Sequence, residues 1–291
     1  MMLSILIPTY NYNACALVRE LRALADSENV EAEIIIGDDA STDDMSWLYD
    51  VESLPGVRLW STAVNLGRAR IRNALARAAR GEWLLFVDAD ACVSADFSLS
   101  CYLDDARHAP VVCGGLRHPA INPCPAATLR YKYECRADRR RSAAERQSHP
   151  YMQLSTFNLL VRRDVFLGIG FDEQCTDYGY EDALFGVELQ ERGITILHTD
   201  NPLIHTGLEP NSVYLEKAET ALHTLQGLGG RMHGHSHVEN AANRLRRWHL
   251  TWIVRAIYWL TRPLLRWNLL GKHPSLKVFA FYKLGYFLSL R

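Results

Sequence analysis

The first third of the chain alternates short apolar runs with longer amphipathic stretches. The apolar runs have the length of strands and lie around residues 3–9, 33–37 and 83–87. Between them, residues 14–25 place Leu17, Leu21 and Leu24 at helical spacing, and a second helix is predicted to begin near Asn65. Short buried strands that alternate with helices predict an α/β fold with a doubly wound, mostly parallel sheet.

Two carboxylates, Asp88 and Asp90, directly follow the apolar run of residues 83–87. In open α/β sheets the ligand crevice lies at the carboxyl ends of the strands. Alternate residues of an extended chain point the same way, so both carboxylates could reach one cation. Mg²⁺ and Mn²⁺ are hard ions that prefer such oxygen ligands. The structural alternative is an acidic turn after a strand, since two acids at this spacing are common.

Four polar segments accompany these elements in a fixed order. They are Ser4-Ile-Leu-Ile-Pro-Thr-Tyr-Asn11, Asp38-Asp-Ala-Ser-Thr-Asp43, Asn65-Leu-Gly-Arg-Ala-Arg-Ile-Arg-Asn73 and Asp88-Ala-Asp90. Each is weak alone, but the ordered set resembles the signature of family 2 glycosyltransferases of the GT-A type and covers residues 3–92. The resemblance implies an inverting transferase that moves a sugar from a nucleotide diphosphate donor, as in the synthesis of cell-surface polysaccharides.

The resemblance also implies roles for individual residues near the ends of the first two strands. Pro8, Thr9 and Tyr10 match the turn that lines the nucleotide pocket. Asp39 matches the acid that pairs with the edge of the base, with Asp38 beside it. A carboxylate that accepts an N–H suits the imide of uracil better than a purine, so a UDP-sugar is the expected donor.

Three further residues complete the implied nucleotide site. Arg72 matches the basic residue that faces the base or the phosphates, where a planar guanidinium can make paired contacts; the alternative is an exposed helix arginine. Asn65 is expected to fix the conformation of its loop more than to contact the ligand. The resemblance implies that Asp88 contributes both to the nucleotide site and to the metal site. Ala40 stands where the family usually has glycine.

An acidic pair in the second half, Glu181 and Asp182, directly precedes a helical run at residues 183–192. The segment from Tyr178 resembles the G-x-E-D motif of the same family and of galactosyltransferases. This resemblance implies that Asp182 is the catalytic base and that Glu181 orients the acceptor or the backbone. An inverting displacement needs one general base near the acceptor hydroxyl. Ordinary capping by acids in a first helical turn is the alternative.

Two more polar residues of the second half are candidates for the site. His205 ends an apolar stretch and matches a position where many GT-A enzymes place a further metal ligand; a hydrogen-bonded structural histidine is the alternative. Asn158 resembles a position between the donor and acceptor sites. It is expected either to contact the donor sugar or acceptor or to bond a buried loop.

Composition agrees with a globular enzyme of the cell interior. The chain has 291 residues, 48% hydrophobic and 22% charged, and its start has neither the basic region nor the long apolar core of a signal peptide. The 7 cysteines are odd in number and form no C-x-x-C pair, which favours reduced thiols in a cytoplasm.

The last 52 residues differ sharply from the rest in charge. Residues 240–291 contain 10 Lys or Arg and no Asp or Glu, whereas residues 1–239 contain 22 basic and 33 acidic residues. An apolar stripe at helical spacing is formed by Leu245, Trp248, Trp252, Ala256 and Trp259. Because three arginines interrupt any span of about 20 residues, a transmembrane helix is not expected. They are Arg255, Arg262 and Arg266.

A basic amphipathic helix on an anionic membrane surface is the expected structure of this tail, which would place the enzyme at the inner face of the cell membrane. The alternatives are a helical cap on the catalytic domain and a nucleic-acid patch, and no nucleic-acid partner is expected. The predicted domains are residues 1–226, with a nucleotide-sugar half at 1–92 and an acceptor half at 93–226, and a hinge and tail at 227–291. The charged stretch Arg136–Arg146 is expected to be an exposed loop or helix and a candidate mobile lid.

Two other functions share parts of this pattern. A sugar nucleotidyltransferase would need a glycine-rich, basic loop after the first strand, and Pro8-Thr-Tyr-Asn11 is not such a loop. A non-catalytic sugar-nucleotide-binding relative would typically lack Asp90 or Asp182, and both are present. A metal-dependent glycosyltransferase is therefore the predicted function.

Overall fold

A computed structural model describes residues 1–138, 142–175, 179–232 and 234–290. These residues form two compact units. The first unit takes in residues 1–117, 140–176 and 181–207, and the second takes in residues 118–139, 177–180 and 208–291.

The strands of the first unit alternate with most of its helices. The strands are β1 (Leu3–Thr9), β2 (Ala32–Asp38), β3 (Val57–Ser61), β4 (Trp83–Val87), β5 (Ala91–Cys92), β6 (Val111–Cys113), β7 (Leu116–Arg117), β8 (Asn158–Arg162), β9 (Ile196–His198) and β10 (Leu203–His205). The helices are α1 (Cys15–Ser27), α2 (Trp47–Glu52), α3 (Arg68–Ala78), α4 (Leu99–Asp105), α6 (Ala143–Gln147), α7 (Arg163–Ile169) and α8 (Glu181–Glu191).

The main sheet has the strand order β3-β2-β1-β4-β8-β6-β9. The pairs of β1 with β2 and β4, of β2 with β3 and of β6 with β9 are parallel, whereas β8 runs antiparallel to both its neighbours. This architecture confirms the predicted mostly parallel α/β sheet. The predicted strands and the helix at residues 14–25 correspond to β1, β2, β4 and α1.

Two hydrophobic clusters cover the two faces of this sheet. Successive strand residues point to opposite faces, so Leu3, Ile5 and Ile7 enter one cluster while Leu6 enters the other with Phe86. Each side chain is fully buried, and burying one of this size contributes about 1.5–3 kcal/mol to stability. A strand that is apolar on both faces therefore occupies the middle of the sheet, which places its polar carboxyl end at the crevice.

A small second sheet joins the ends of the chain segments that hold the candidate site. Its order is β5-β10-β7, and β10 pairs antiparallel with β5 and parallel with β7. The register sets His205 opposite Ala91. Because Ala91 follows Asp90, this pairing brings His205 beside the acidic turn.

The second unit is helical and has its own core. Its helices are α5 (Thr128–Asp138), α9 (Asn211–Leu228), α10 (His237–Arg247), α11 (Thr251–Leu270) and α12 (Leu276–Ser289). Their core consists of buried side chains from four helices, namely Leu129, Leu215, Tyr258, Leu269, Phe279 and Tyr282. The unit therefore takes in α5 and α9, whereas the sequence placed the boundary at residue 227.

Two expectations for charged and apolar stretches need correction. The stripe from Leu245 to Trp259 does not lie on one helix, because α10 ends at Arg247 and α11 begins at Thr251, with His249 at φ 56° between them. The stretch Arg136–Arg146 is not wholly exposed: residues 139–141 lie outside the described residues, and Arg146 is buried. Within the described part of the chain, no helix is both long and apolar enough to cross a membrane.

Candidate active site

The turn after β1 is tied to the loop after β2. Pro8 and Thr9 end β1, and the Thr9 hydroxyl donates to the carbonyl of Tyr12 at 2.8 Å. Asn11, at φ 50°, accepts two backbone N–H groups of the opposite loop through its Oδ1, at 2.7 and 3.1 Å. Tyr10 is half exposed. The predicted pocket turn is thus rigid in its backbone and presents an aromatic ring.

The carboxylate of Asp39 fixes the loop that leads into α3. Its Oδ1 and Oδ2 accept the N–H groups of Leu66 and Gly67 at 2.7 and 2.9 Å, and the Asn65 amide donates to its carbonyl at 3.1 Å. Burial raises the pKa of Asp39, the two N–H groups oppose this, and the negative charge of Asp38 adds to it. A carboxylate has about four acceptor positions, and these two bonds use half of them.

Asp38 and Ala40 flank Asp39 in the same loop. Asp38 accepts the N–H of Ser41 at 3.0 Å and lines a cleft of about 700 Å³ together with Tyr49 and Trp60. Ala40 has φ 60°, in the left-handed region that favours glycine. The substitution of the usual glycine therefore leaves the loop conformation in place at a cost in backbone strain.

Arg72 is buried at the centre of a charge network. It is 2% exposed, and its Nη2 donates to a carboxylate oxygen of Asp88. Its Nη1 donates to the carbonyl of Arg68 at 3.2 Å and lies 3.9 Å from a carboxylate oxygen of Glu181. Its Nε has no hydrogen-bond partner among the described residues. The alternative of an exposed helix arginine is wrong, because Arg72 is buried. A buried guanidinium needs paired acids, and Asp88 and Glu181 supply them.

Asp90 and His205 form a second pair. The Nε2 of His205 lies 3.1 Å from Oδ2 of Asp90, and the buried His205 ring packs edge-on against Phe157 with ring centroids 5.4 Å apart. Thr206 holds the same turn, since its N–H and hydroxyl donate to the carbonyl of Asp90 at 2.9 and 2.8 Å. A Cβ added at Gly207 would lie 2.1 Å from Oδ2 of Asp90. Only glycine fits there.

The predicted metal ligands are only partly brought together. Neighbouring ligands of an octahedral Mg²⁺ lie roughly 3 Å apart, and the 3.1 Å between Asp90 and His205 matches this spacing. Asp88 instead pairs with Arg72. Within the described ranges no group of three or more His, Cys, Asp or Glu is placed to hold a metal ion. The hydrogen-bonded pair of Asp90 and His205 thus has the spacing of two adjacent metal ligands, and the assignment of Asp88, Asp90 and His205 to one cation stays a prediction.

The acidic pair begins α8. Glu181 is buried, and its carboxylate lies 3.7 Å from Arg68 and 3.9 Å from Arg72. The half-buried Asp182 accepts the N–H of Ala183 at 2.7 Å. Burial and then the charge of Glu181 raise the pKa of Asp182 to about 7, against the lowering effects of that N–H and of both arginines. A carboxylate with this pKa suits a general base near neutral pH. Tyr178 lies outside the described residues.

Asn158 belongs to the framework. Its amide N–H₂ donates to the carbonyls of Gly115 and Asn201 at 2.9 and 2.8 Å, and its Oδ1 accepts the hydroxyl of Tyr102 at 2.6 Å. Both donors of the buried amide are thus used by the protein. Of the two expectations for Asn158, bonding of a buried loop describes these contacts and a sugar contact does not.

Three residues of the site were not singled out from the sequence, namely Arg68, Thr206 and Gly207. A glycine directly after a strand end is a signal of close backbone approach, and Gly207 follows β10 by two residues. Arg68 offers no such signal, because a basic residue at the start of a helix is usually solvated.

Residues 4–166 match the family model described as Glycosyl transferase family 2. This segment is more than half of the chain. The protein belongs to this family.

Curated relatives align over the first part of the chain. An uncharacterized glycosyltransferase from Haemophilus influenzae is 37% identical over 91 residues, which are 31% of this chain and 30% of the relative. The succinoglycan biosynthesis protein ExoO from Rhizobium meliloti is 34% identical over 90 residues, 31% of this chain and 26% of the relative. The alignments thus span less than a third of these relatives.

Solved structures share the fold across most of the chain. The mannosyltransferase PcManGT from Pyrobaculum calidifontis, in complex with GDP-Man and Mn²⁺, has a TM-score of 0.53 and 18% identity, covering 77% of this chain and 63% of that one. TarS 1-349 from S. aureus, in complex with UDP-GlcNAc, has a TM-score of 0.51 and 19% identity, covering 79% and 67%. These similarities confirm the predicted GT-A fold.

Proposed function

We propose that this protein is an inverting, metal-dependent glycosyltransferase that moves a sugar from a nucleotide diphosphate sugar to a hydroxyl group. The observation that supports this most is the buried network that joins Asp88 through Arg72 to Glu181, with Asp182 beside it. It links the residues assigned to the donor with the residue assigned as base. A UDP-sugar is the preferred donor, and the acceptor is a glycan or a lipid-linked saccharide at the inner face of the cell membrane.

The ends of β1 and β2 would hold the nucleoside. The ring of Tyr10 is half exposed, and the carboxylates of Asp38 and Asp39 keep acceptor positions that an imide N–H can use. Asn65 would act indirectly, through its bond to the backbone of Asp39. Arg72 would contribute through Asp88, which it orients toward the same crevice.

Asp90 and His205 are the residues that would hold a divalent cation, Mn²⁺ or Mg²⁺. A carboxylate and an imidazole suit Mn²⁺, and their spacing fits two adjacent ligands. When bound, the cation would neutralise negative charge on the leaving diphosphate. Gly207 keeps the space that Asp90 needs for this role.

Asp182 would act on the acceptor. As the hydroxyl oxygen forms its bond to the anomeric carbon, the bond from that carbon to the diphosphate oxygen breaks and the hydroxyl proton passes to Asp182. Attack on the face opposite the leaving group inverts the anomeric configuration. Glu181, held by Arg68 and Arg72, fixes the start of α8 and raises the proton affinity of its neighbour.

The comparisons support the substrate class. The two solved structures contain a GDP-sugar or a UDP-sugar, and one of them also contains Mn²⁺. A role in polysaccharide synthesis is supported by the similarity to a succinoglycan biosynthesis protein. A carboxylate at the base position accepts from the imide of uracil and equally from the N1–H and N2–H₂ groups of guanine, so the panel of nucleotide sugars decides between UDP and GDP.

A panel of nucleotide sugars with Mn²⁺, with and without saccharide acceptors, tests the proposal. Nucleotide diphosphate and a glycosylated acceptor should appear together and only when both substrates are present. Asp182→Asn should lower product formation by roughly 10²-fold or more, while Glu191→Gln, at an exposed acid of the same helix, should not change it. Conversion of the nucleotide sugar and added pyrophosphate to a nucleoside triphosphate and a sugar 1-phosphate would indicate a nucleotidyltransferase, and donor binding without transfer would indicate a non-catalytic relative.

A further inference from the structure

Three tryptophans stand exposed on one face of α11. Trp252, Trp259 and Trp267 are 68%, 79% and 79% exposed. Their spacings of seven and eight residues place them within about 80° of one another around the helix and along roughly 22 Å of its length. Monomeric soluble proteins rarely expose contiguous apolar surface of this kind without a partner. We call these three residues the Trp stripe.

The stripe is not part of the helical core. The other face of α11 supplies Tyr258 and Leu269, which are buried among α5, α9 and α12. Leu260 and Leu264 extend the exposed apolar surface on one side of the stripe. Replacing the three tryptophans would therefore leave the packing of the unit unchanged.

Arginines border the stripe on its other side. Arg255 and Arg262 are exposed there, about one and three turns along from Trp252. Arg266 differs, because it donates to Glu219 at 2.7 Å and to the hydroxyl of Tyr282 at 3.0 Å within the unit. Arg255 and Arg262 are thus the basic residues of α11 that are available to an external partner.

The segment that precedes α11 is likewise aromatic, basic and exposed. Trp248 is 70% exposed and follows three exposed arginines in the last turn of α10. They are Arg244, Arg246 and Arg247. No acidic residue occurs anywhere in residues 240–291 to offset this charge.

We propose that the Trp stripe and its flanking arginines form a docking surface for an anionic lipid bilayer, on which α11 lies parallel to the membrane plane. Tryptophan rings favour the boundary between headgroups and acyl chains, and arginine can reach anionic headgroups while its stem stays in apolar surroundings. A second copy of the chain is disfavoured as the partner, because two such surfaces would bring like charges together.

Co-sedimentation of the full chain with vesicles, without any substrate, tests this surface apart from catalysis. Binding should be strong to vesicles of phosphatidylcholine and phosphatidylglycerol in equal parts, weak to phosphatidylcholine alone, and reduced by salt. Trp252→Ser/Trp259→Ser/Trp267→Ser and, separately, Arg255→Gln/Arg262→Gln should each weaken partitioning by ~10-fold or more.

Matched controls come from exposed residues of the first unit. Tyr49→Ser removes an equally exposed aromatic ring, and Arg77→Gln/Arg107→Gln removes two exposed charges. Neither should change vesicle binding. Quenching by brominated acyl chains gives a second readout. Trp47 and Trp83 are buried and Trp60 is half-buried in the first unit, so any quenching that the variant without the Trp stripe loses must come from the three rings of the stripe.

Three outcomes would overturn the proposal. The first is equal binding, or none, to anionic and neutral vesicles. The second is a lipid-free dimer, seen by sedimentation velocity, that the stripe variant dissociates. The third is binding to a single-stranded oligonucleotide that the same substitutions abolish. Loss of glycosyl transfer with intact vesicle binding would count against the proposed activity alone.

Discussion

The contact between Gly207 and Asp90 ties a residue without a side chain to metal binding. Gly207→Ala should reduce Mn²⁺ affinity ~10-fold or more, because the new Cβ would meet Oδ2 of Asp90 at 2.1 Å and displace it from His205. Calorimetric titration with Mn²⁺ in the presence of UDP would measure this. Gly168→Ala is the control, since a Cβ there meets nothing within 4 Å. Unchanged affinity in Gly207→Ala would contradict the assignment of Asp90.

Removal of the metal is a second test of Asp90 and His205 as metal ligands. EDTA should abolish transfer, and Mn²⁺ or Mg²⁺ should restore it, because charge on the leaving diphosphate would otherwise be unbalanced. Asp90→Ala should lose donor binding and activity together in an assay of nucleotide release. Full activity of that variant in the presence of EDTA would exclude a metal at Asp90.

The raised pKa of Asp182 predicts opposite pH trends for activity and stability. Turnover should rise through about pH 7 as the base loses its proton. The native carboxyl keeps its proton to about pH 7, whereas the unfolded one releases it near pH 4. The native state thus binds more protons between these values, so this group makes the free energy of unfolding fall as pH rises across them.

Asp182→Asn should remove both trends. Its turnover should fall by roughly 10²-fold or more with UDP affinity nearly unchanged, and its unfolding free energy should vary less between pH 5 and 7. Rate profiles and urea denaturation at several pH values measure the two effects. An inactive Glu181→Gln beside an active Asp182→Asn would move the base to Glu181.

Ala40 offers a prediction about backbone strain. A left-handed conformation costs an L-residue about 1–2 kcal/mol, and glycine avoids this cost but loses about 0.5–1 kcal/mol through the entropy of the unfolded chain. Ala40→Gly should therefore raise the free energy of unfolding by about 0.5 kcal/mol, as measured by urea denaturation. Ala23→Gly, at an exposed position inside α1, should instead lower it by about 1 kcal/mol. A loss of stability in Ala40→Gly would mean that the strain is relieved elsewhere.

The sequence alone identifies some residues of the candidate site but not the residues that pair with them. Asp88, Asp90 and Asp182 could be found because acids at strand and helix ends leave a local pattern. The residue that pairs with each acid could not be found from the sequence. Arg72 and His205 come from distant segments, and their pairing depends on the sheet register. The sequence pattern therefore predicts three ligands for one metal but does not predict that Asp88 pairs with Arg72 and Asp90 with His205.

At the scale of elements, α6 is fixed by one buried side chain. Arg146 donates to the carbonyls of Cys113 and Thr199 at 3.0 and 2.7 Å, so Arg146→Met would leave both without that donor. The carbonyl of Cys113 keeps the N–H of Thr199 at 3.0 Å, so the carbonyl of Thr199 carries most of the loss. A buried unsatisfied group costs about 1–3 kcal/mol, and stability in urea should fall by about that amount. Arg136→Met, an exposed site in α5, should change stability little. Similar values for the two variants would show that Arg146 contributes little to stability.

Elements were predictable where a run was long enough to show a period. β1, β2 and β4 are apolar runs of five to seven residues, and α1 shows the helical repeat clearly. β6, β9 and β10 have three residues each, too few for a pattern, and their positions follow from pairing partners elsewhere in the chain. The break at His249 involves no glycine or proline, so the sequence pattern predicts a continuous helical stripe there.

At the scale of the whole molecule, the basic C-terminal segment is also part of a core. Truncation before residue 240 would remove α11, α12 and most of α10, and would expose Leu129 and Leu215, which α11 and α12 help to bury. The shortened chain should bind far more anilinonaphthalene sulfonate and aggregate, as fluorescence and light scattering would show. A soluble truncated chain with unchanged dye binding would instead make the segment a separable tail.

The difference in net charge between residues 1–239 and 240–291 could be found from the sequence, because it requires only a count of charged residues. The division into units could not be found, because α5 is separated from α9 by most of the acceptor half and joins it only through folding. A boundary placed at a glycine- and histidine-rich segment therefore missed the two earlier helices of the second unit.

The strand order has a consequence for synthesis. β8 pairs with β4, yet 70 residues lie between Val87 and Asn158, and β6 is made in between. At about 5–20 residues per second, the free edge of β4 waits roughly 4–14 s on the ribosome for its partner. During that interval five consecutive apolar residues, Trp83–Val87, present an unpaired edge able to join another nascent chain. Slower translation between β4 and β8 should therefore lower the yield of native protein, which expression with slow synonymous codons in this interval would measure.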